Sequence, residues 1–285
     1  MIGFWFQPGP PKDQLFRVPA SGETIMAEGR ELLTDAPGKR AEGTRVAIPP
    51  IPPSEPNYEV VGVTGFTEAV TIYQFQPHAH LRAKDFKYTV VYPNGREQVV
   101  LNVPKYDFNW QLAYDLDTPL RLPAGSKLVV IAHYDNSRNN KHNPAPEKEV
   151  YFRDQNQSWD EMFTPFIQYS IDGRNPDKPS ERESNELHIV EVVGCLEQSA
   201  GQLWTLTHAS DAAISMTQST NSADIKGAEA KPLGGREYQL LGISVFNPAS
   251  HKAQKVAVKG ISINDAKESR LNVTSLQMIA EACPE

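Results

Sequence analysis

No apolar run in the 285-residue chain approaches the roughly 18 residues that a membrane helix needs. Met1 to Pro11 lacks the basic segment followed by an apolar stretch that marks a secretory leader. Positive charge is in deficit: 28 Lys and Arg stand against 35 Asp and Glu, a net charge of −7. That balance argues against nucleic acid or an anionic membrane surface as the main partner. Cysteine is scarce. With only Cys195 and Cys283 present, no CxxC or cysteine-rich zinc pattern exists. The two lie near the first and last strands expected of the C-terminal third, where either a disulfide closing that region or two free thiols fits. No serine or cysteine nucleophile motif appears, and Gly62-Val63-Thr64-Gly65 and Gly234-Gly235 read as turns, not phosphate cradles. The absence of any repeat period excludes collagen-like and low-complexity chains.

What is present is a series of short β-branched and aromatic runs broken by 23 prolines and 18 glycines. Ile2-Gly3-Phe4-Trp5-Phe6 reads as a strand with no partner nearby in sequence. An orphan strand at a chain start suggests the tail of a missing N-terminal domain, and residues 1–45 otherwise read as irregular, with a helical turn conceivable over Glu28 to Leu33. Ile48-Pro49-Pro50-Ile51-Pro52-Pro53 is a stiff extended connector, because proline fixes φ and removes backbone donors. Strands follow at Tyr58–Val63, Val70–Phe75, Phe86–Tyr92, Gln98–Val103, Leu128–Tyr134 and Phe163–Ile171, with Pro93-Asn94-Gly95-Arg96 as a hairpin turn and Asn136 to Glu147 as a polar loop. The charged, proline-containing stretch 173–186 reads as a linker. Beyond it, strands are expected at Leu187–Leu196, Leu203–Thr207, Tyr238–Ile243, Gln254–Ile263 and Leu271–Ile279, with a long polar loop from Ser210 to Gly235.

The expected fold class is therefore all-β. An antiparallel jelly-roll-like β-sandwich over 46–172 precedes a small five-stranded, partly open β-barrel of the oligonucleotide/oligosaccharide-binding kind over 187–285. That barrel type alone does not license nucleic-acid binding. Its role reads as stability or docking, and Asn272-Val273-Thr274 reads as ordinary strand sequence although it fits a glycosylation sequon.

The chemistry concentrates in Gln76-Pro77-His78-Ala79-His80-Leu81-Arg82. Residues two apart on an extended strand share a face, so His78 and His80 aim their imidazoles at one place. Neutral imidazole is the commonest metal ligand, and surface or hydrogen-bonded strand histidines are the alternative. Met162 adds a thioether, although a lone Met on a strand is more often core packing. Two imidazoles with one thioether suit a copper that moves between Cu(I) and Cu(II), because the soft sulfur favours Cu(I). His133 can be a further ligand, a group behind the ligands, or a packed histidine. His142 reads as solvated, and His188, His208 and His251 share no spacing. Trp110, Tyr106 and Phe108 default to core packing, and Asp160 and Glu161 either orient the site or begin a solvated strand.

These blocks carry a resemblance. His78-Ala79-His80-Leu81, Tyr92-Pro93-Asn94-Gly95-Arg96-Glu97 and Asp160-Glu161-Met162 with the aromatic run to Tyr169 resemble, in order, the C-terminal catalytic domain of the copper type II, ascorbate-dependent monooxygenases. That family includes the peptidylglycine-amidating and dopamine β-hydroxylating enzymes. Tyr106-Asp107-Phe108-Asn109-Trp110-Gln111 and His133-Tyr134-Asp135-Asn136-Ser137 resemble a bacterial branch. The resemblance implies a copper held by His78, His80 and Met162, dioxygen, an external reductant such as ascorbate, and hydroxylation of a C–H bond in a small-molecule or peptide-like substrate. It also implies a periplasmic or secreted setting and an upstream copper domain that supplies an electron. Three positions depart from the family. Gln76 stands where the amidating branch has arginine, Phe166 where it has tyrosine, and Phe163 where the animal enzymes have cysteine. The first two argue against a C-terminal glycine substrate. The alternative is a non-catalytic copper-binding or interaction β-sandwich.

Overall fold

The computed structural model describes residues 14–20, 22, 24–38, 46–153, 157–174, 187–199, 201, 203–264 and 269–283. The orphan strand expected at 2–6 and the linker segment 175–186 lie outside them.

The first unit runs through β1 (Leu15–Pro19), β2 (Thr24–Ala27), β3 (Arg30–Glu31), β4 (Tyr58–Gly65) and β5 (Val70–Gln76). It continues with β6 (Ala83–Val91), β7 (Glu97–Val103), β8 (Tyr114–Leu122), β9 (Lys127–Tyr134) and β10 (Phe166–Ile171). They form a four-stranded sheet ordered β1-β10-β5-β8 and a six-stranded sheet ordered β3-β2-β4-β9-β6-β7. Every pairing in both is antiparallel. Ile72, Phe75 and Ile167 of one sheet pack against Phe86, Tyr88 and Val130 of the other in a single core, which makes the all-β sandwich. The Asn94-Gly95 turn closes the β6–β7 hairpin with Gly95 at φ +83 and the Tyr92 N–H on the Arg96 carbonyl at 2.9 Å.

Two stretches differ from the sequence reading. Residues read as an irregular tail supply β1, β2 and β3, which extend both sheets; the conceivable helical turn over Glu28 to Leu33 is instead a turn at Glu28-Gly29, both at positive φ, leading into β3. β8 was also not expected. It carries Asp115, Asp117, Pro119 and Arg121, and it survives because it is an edge strand whose register shifts where it passes Pro119.

The second unit comprises β11 (Ile189–Gln198), β12 (Trp204–Ala209), β13 (Ala213–Ile214), the helix α1 (Ser222–Ala230), β14 (Arg236–Leu241), β15 (Lys255–Asn264) and β16 (Ser269–Ala280). β11 pairs with β15 along Ile189 to Cys195 and with β12 from Cys195 to Gln198, so the ring β11-β12-β14-β16-β15 closes on itself. β14 and β16 are parallel and the other ring pairs antiparallel, the five-stranded barrel expected of this region. α1 falls inside the stretch read as loop. Only Ala228 of it is buried, so it has no apolar stripe to announce it, but Asn221 and Asp224 form a capping box at its start. Cys195 and Cys283 form a disulfide with 5.6 Å between their Cα atoms.

The barrel covers the outer face of the six-stranded sheet. Met26, Val61, Val63, Val91 and Val129 share one apolar cluster with Val192, Leu206, Val258, Leu271 and Val273. This explains the unbroken apolar run in β4, which is buried on both faces. Polar groups tie the same interface. The Asn272 amide donates to the carbonyls of Val91 (3.1 Å) and Gly125 (2.9 Å), which fits its reading as strand sequence. Gln218 exchanges two hydrogen bonds with the Gly65 backbone. Lys127 sends its buried ammonium to the Gly242 carbonyl (2.7 Å) and the Val273 carbonyl.

Burial pushes the Lys127 amine down to about 7. In the unfolded chain it titrates near ~10.4, so the folded state binds fewer protons across that window and stability rises with pH through it. Each pH unit there is expected to add up to about 1.4 kcal/mol in the wild type, a slope that Lys127→Met removes. Urea denaturation of both proteins at pH 7.5 and 9.5 checks this, and parallel pH dependence in the two would refute it.

Candidate metal centre

The histidine segment continues β5 past its last ladder residue. β10 pairs with β5 in the register Phe166↔Gln76, and the Thr164 N–H donates to the His78 carbonyl at 3.0 Å in the same register. Beyond that bond the ladder ends: the N–H groups of His80 and Met162 both turn to the Glu161 carboxylate, which is what ties the two segments together. Ala79 is pinned from the other side: the Tyr106 hydroxyl accepts its N–H (3.0 Å) and donates to its carbonyl (2.7 Å). The imidazoles of His78 and His80 consequently stand together, centroids 5.5 Å apart and planes at 88°.

Both rings are held in one tautomer. His78 Nδ1 lies 2.5 Å from Gln111 Oε1, and Gln111 is oriented by its own Nε2 donating to the Phe108 carbonyl at 2.9 Å. His80 Nδ1 lies 3.0 Å from the Asp160 carbonyl. Each partner atom is an oxygen that can only accept, so each Nδ1 carries the proton and Nε2 is the atom of the neutral ring left to bind a metal. Burial, assisted by His78, lowers the pKa of His80 and favours the neutral ring.

Beneath the pair lies Glu161. It is fully buried, and its carboxylate accepts from the N–H groups of His80 (2.8 Å), Arg82 (2.7 Å) and Met162 (3.3 Å). Desolvation raises its pKa to about 7 against the pull of these donors and of Arg82. The Arg82 side chain is buried too and donates to the carbonyls of Trp159 (2.8 Å) and Ser158 (3.3 Å). Met162 is half-buried, and its carbonyl accepts the Tyr134 hydroxyl at 2.8 Å. Asp160 and Glu161 are thus buried organisers of this segment, one through its backbone and one through its carboxylate, and not a solvated strand start.

The rim is aromatic. Phe108 meets the His80 ring edge-on at 5.5 Å, and Phe166 lies 6.4 Å from His78. Arg17 of β1 stacks its guanidinium on Phe166 at 4.4 Å and donates to Gln76 Oε1 at 2.6 Å, so a cation stands beside Gln76 although no arginine occupies position 76. Trp110 is 70% exposed, against its core-packing default, and Trp159 is 59% exposed. Each neighbours a residue that holds a histidine, Gln111 or Asp160.

His133 does not join this site. It faces outward on β9, alternating with the core residues Ala132 and Tyr134, between Asp85 (2.7 Å) and Glu59 (3.4 Å), which together raise its pKa to about 9. With both ring nitrogens facing carboxylates it offers no free lone pair. His142 is exposed, and His188, His208 and His251 belong to the barrel unit. Among the described residues no group of three or more His, Cys, Asp or Glu side chains gathers as metal ligands. Met162, joined to the histidine segment through Glu161, is the nearby residue that carries a soft donor. Two imidazoles with one thioether would fit copper, above all Cu(I).

Gln111 was not singled out by the sequence reading as a site residue. Gln111→Ala frees the His78 ring, and metal affinity is expected to drop about 10–100-fold with the fold intact. Competitive metal titration reads the effect, and unchanged affinity would show that the tautomer lock is irrelevant.

No protein-family model matches the chain, and no curated protein matches it.

Proposed function

We propose that this chain is a copper protein whose ion is held by His78, His80 and Met162, and that it is the copper-binding domain of a dioxygen-dependent monooxygenase acting on a C–H bond. The observation that carries the copper reading is the pair of locked tautomers: both Nδ1–H groups are spent on fixed oxygens, and Nε2 is the atom of each ring left to bind a metal. Copper bound there would supply one-electron chemistry toward dioxygen, drawing on a reductant such as ascorbate. The chain's own residues hold the rings at a set angle, keep His80 neutral, and place Glu161 as the brace that ties the histidine strand to Met162. The exposed aromatics at the rim offer a docking face for an organic substrate. A disulfide suits the periplasmic or secreted setting that belongs to this reading.

Copper analysis and Cu(I) titration test it. The wild type is expected to bind one equivalent, and His78→Ala and His80→Ala to lose tight binding. One copper held undiminished by both variants would overturn the site.

A further inference from the structure

A trench of about 580 Å³ lies behind the histidine strand, on the side of Leu81 and Ala83. Its walls come from the segment after β7 (Lys105 to Asn109) and from the loop that follows β9 (Asp135 to His142). The volume falls in the range of small-molecule sites.

The loop wall is preformed. Asn140 donates to the carbonyls of Leu81 (3.0 Å) and Asp135 (2.9 Å) and accepts the His142 N–H (3.0 Å). Asn136 donates to the Pro52 and Lys148 carbonyls, and Asn143 to Asn136. A ligand entering here meets a wall already ordered, which removes an entropic cost of binding.

Three lysines line the trench, Lys84, Lys105 and Lys141. No ion pair among the described residues engages any of them. Lys84 is half-buried and fixed by the Pro56 carbonyl (3.1 Å) and Asn57 Oδ1 (2.8 Å), so its charge is positioned but not neutralised. The two carboxylates in the lining have local work. Asp107 Oδ1 accepts the Asn109 N–H (2.9 Å) and side-chain amide, and Asp135 Oδ1 accepts the Ser137 N–H (2.8 Å). Three lysines against these two carboxylates leave the lining with an excess of one positive charge in a chain of net charge −7.

We infer that the trench binds a small organic or inorganic anion bearing carboxylate or phosphate groups, held by Lys105 and Lys141. Its inner wall is Tyr106 and Phe108, the residues that grip Ala79 and meet His80, so an occupant presses on the back of the histidine strand. The inference does not rest on copper.

Isothermal titration calorimetry of the full chain with citrate and with inorganic phosphate, at low ionic strength and without metal, tests it. One anion or both should bind saturably, which also separates carboxylate from phosphate chemistry. The double variant Lys105→Gln/Lys141→Gln, changed only at exposed positions, should bind at least about tenfold more weakly. Lys226→Gln on α1, away from the trench, should bind as the wild type does. Absence of binding by both anions up to about 10 mM, or equal binding by the double variant, would overturn the site.

Discussion

Glu161→Ala is expected to cost about 3–5 kcal/mol of stability, the loss typical of removing one member of a buried charged network. The carboxylate takes three backbone N–H groups, from His80, Arg82 and Met162, and lies beside the buried Arg82 guanidinium. Alanine leaves those donors in a dry site, each with a desolvation cost of about 1–3 kcal/mol where nothing replaces the acceptor. Glu161→Gln keeps one oxygen and should lose less, because only part of the network then faces a donor. The Glu161 carboxyl titrates near 7 in the folded protein, above its unfolded value of ~4.3. Its folded state thus binds more protons, so this group's contribution is full below ~4.3 and shrinks as pH rises toward 7. The mutational loss measured by urea denaturation should accordingly be larger at pH 5 than at pH 7.5. A loss under about 1 kcal/mol in Glu161→Ala would show that water or a rearranged segment satisfies these donors.

The double variant Cys195→Ala/Cys283→Ala is expected to lose about 4–5 kcal/mol, the chain-entropy cost of freeing a long loop. The bridge spans 88 residues, nearly the whole barrel, and joins β11 to the segment after β16. The Cys283 N–H also bonds the Ala253 carbonyl at 2.9 Å, so its removal frees that end of the chain. Since the barrel covers the outer face of the six-stranded sheet, exposure of Val61, Val63 and Val129 should accompany its loosening. Thermal denaturation with and without a thiol reductant separates the cases. The wild type should shift down on reduction and the double variant should not move. A wild type indifferent to full reduction would contradict the prediction.

How much of this was legible in the sequence follows from what each residue contacts. β4, β5, β6, β7 and β9 show as β-branched and aromatic runs, and the Asn-Gly turn marks its hairpin, because those signals are local. β1 to β3 were missed since they are short and draw their stability from partners in β4 and β10. β8 was hidden by its charges and proline, which an edge position tolerates, and α1 by its nearly bare polar surface. At the site, the two-residue spacing of His78 and His80 was readable, and Met162 was weighed as a thioether donor against core packing before a resemblance implied the ligand set. Gln111 and Tyr106 were not readable in these roles, and for Glu161 an orienting role stood beside a solvated strand start. Each acts on the histidine segment from 27 or more residues away in sequence, through side-chain bonds that no short motif encodes. His133 carried a metal-ligand alternative because histidine is ambiguous in sequence; its placement between Glu59 and Asp85 answers that alternative.

The most direct test of the proposed copper site is X-ray absorption at the copper edge of the Cu(I)-loaded protein, compared between wild type and Met162→Ile. Two imidazole nitrogens and one sulfur are predicted around copper in the wild type, with the sulfur contribution gone in Met162→Ile and Cu(I) affinity falling more than Cu(II) affinity. A wild-type spectrum without sulfur, or an identical sulfur contribution in the variant, would contradict it.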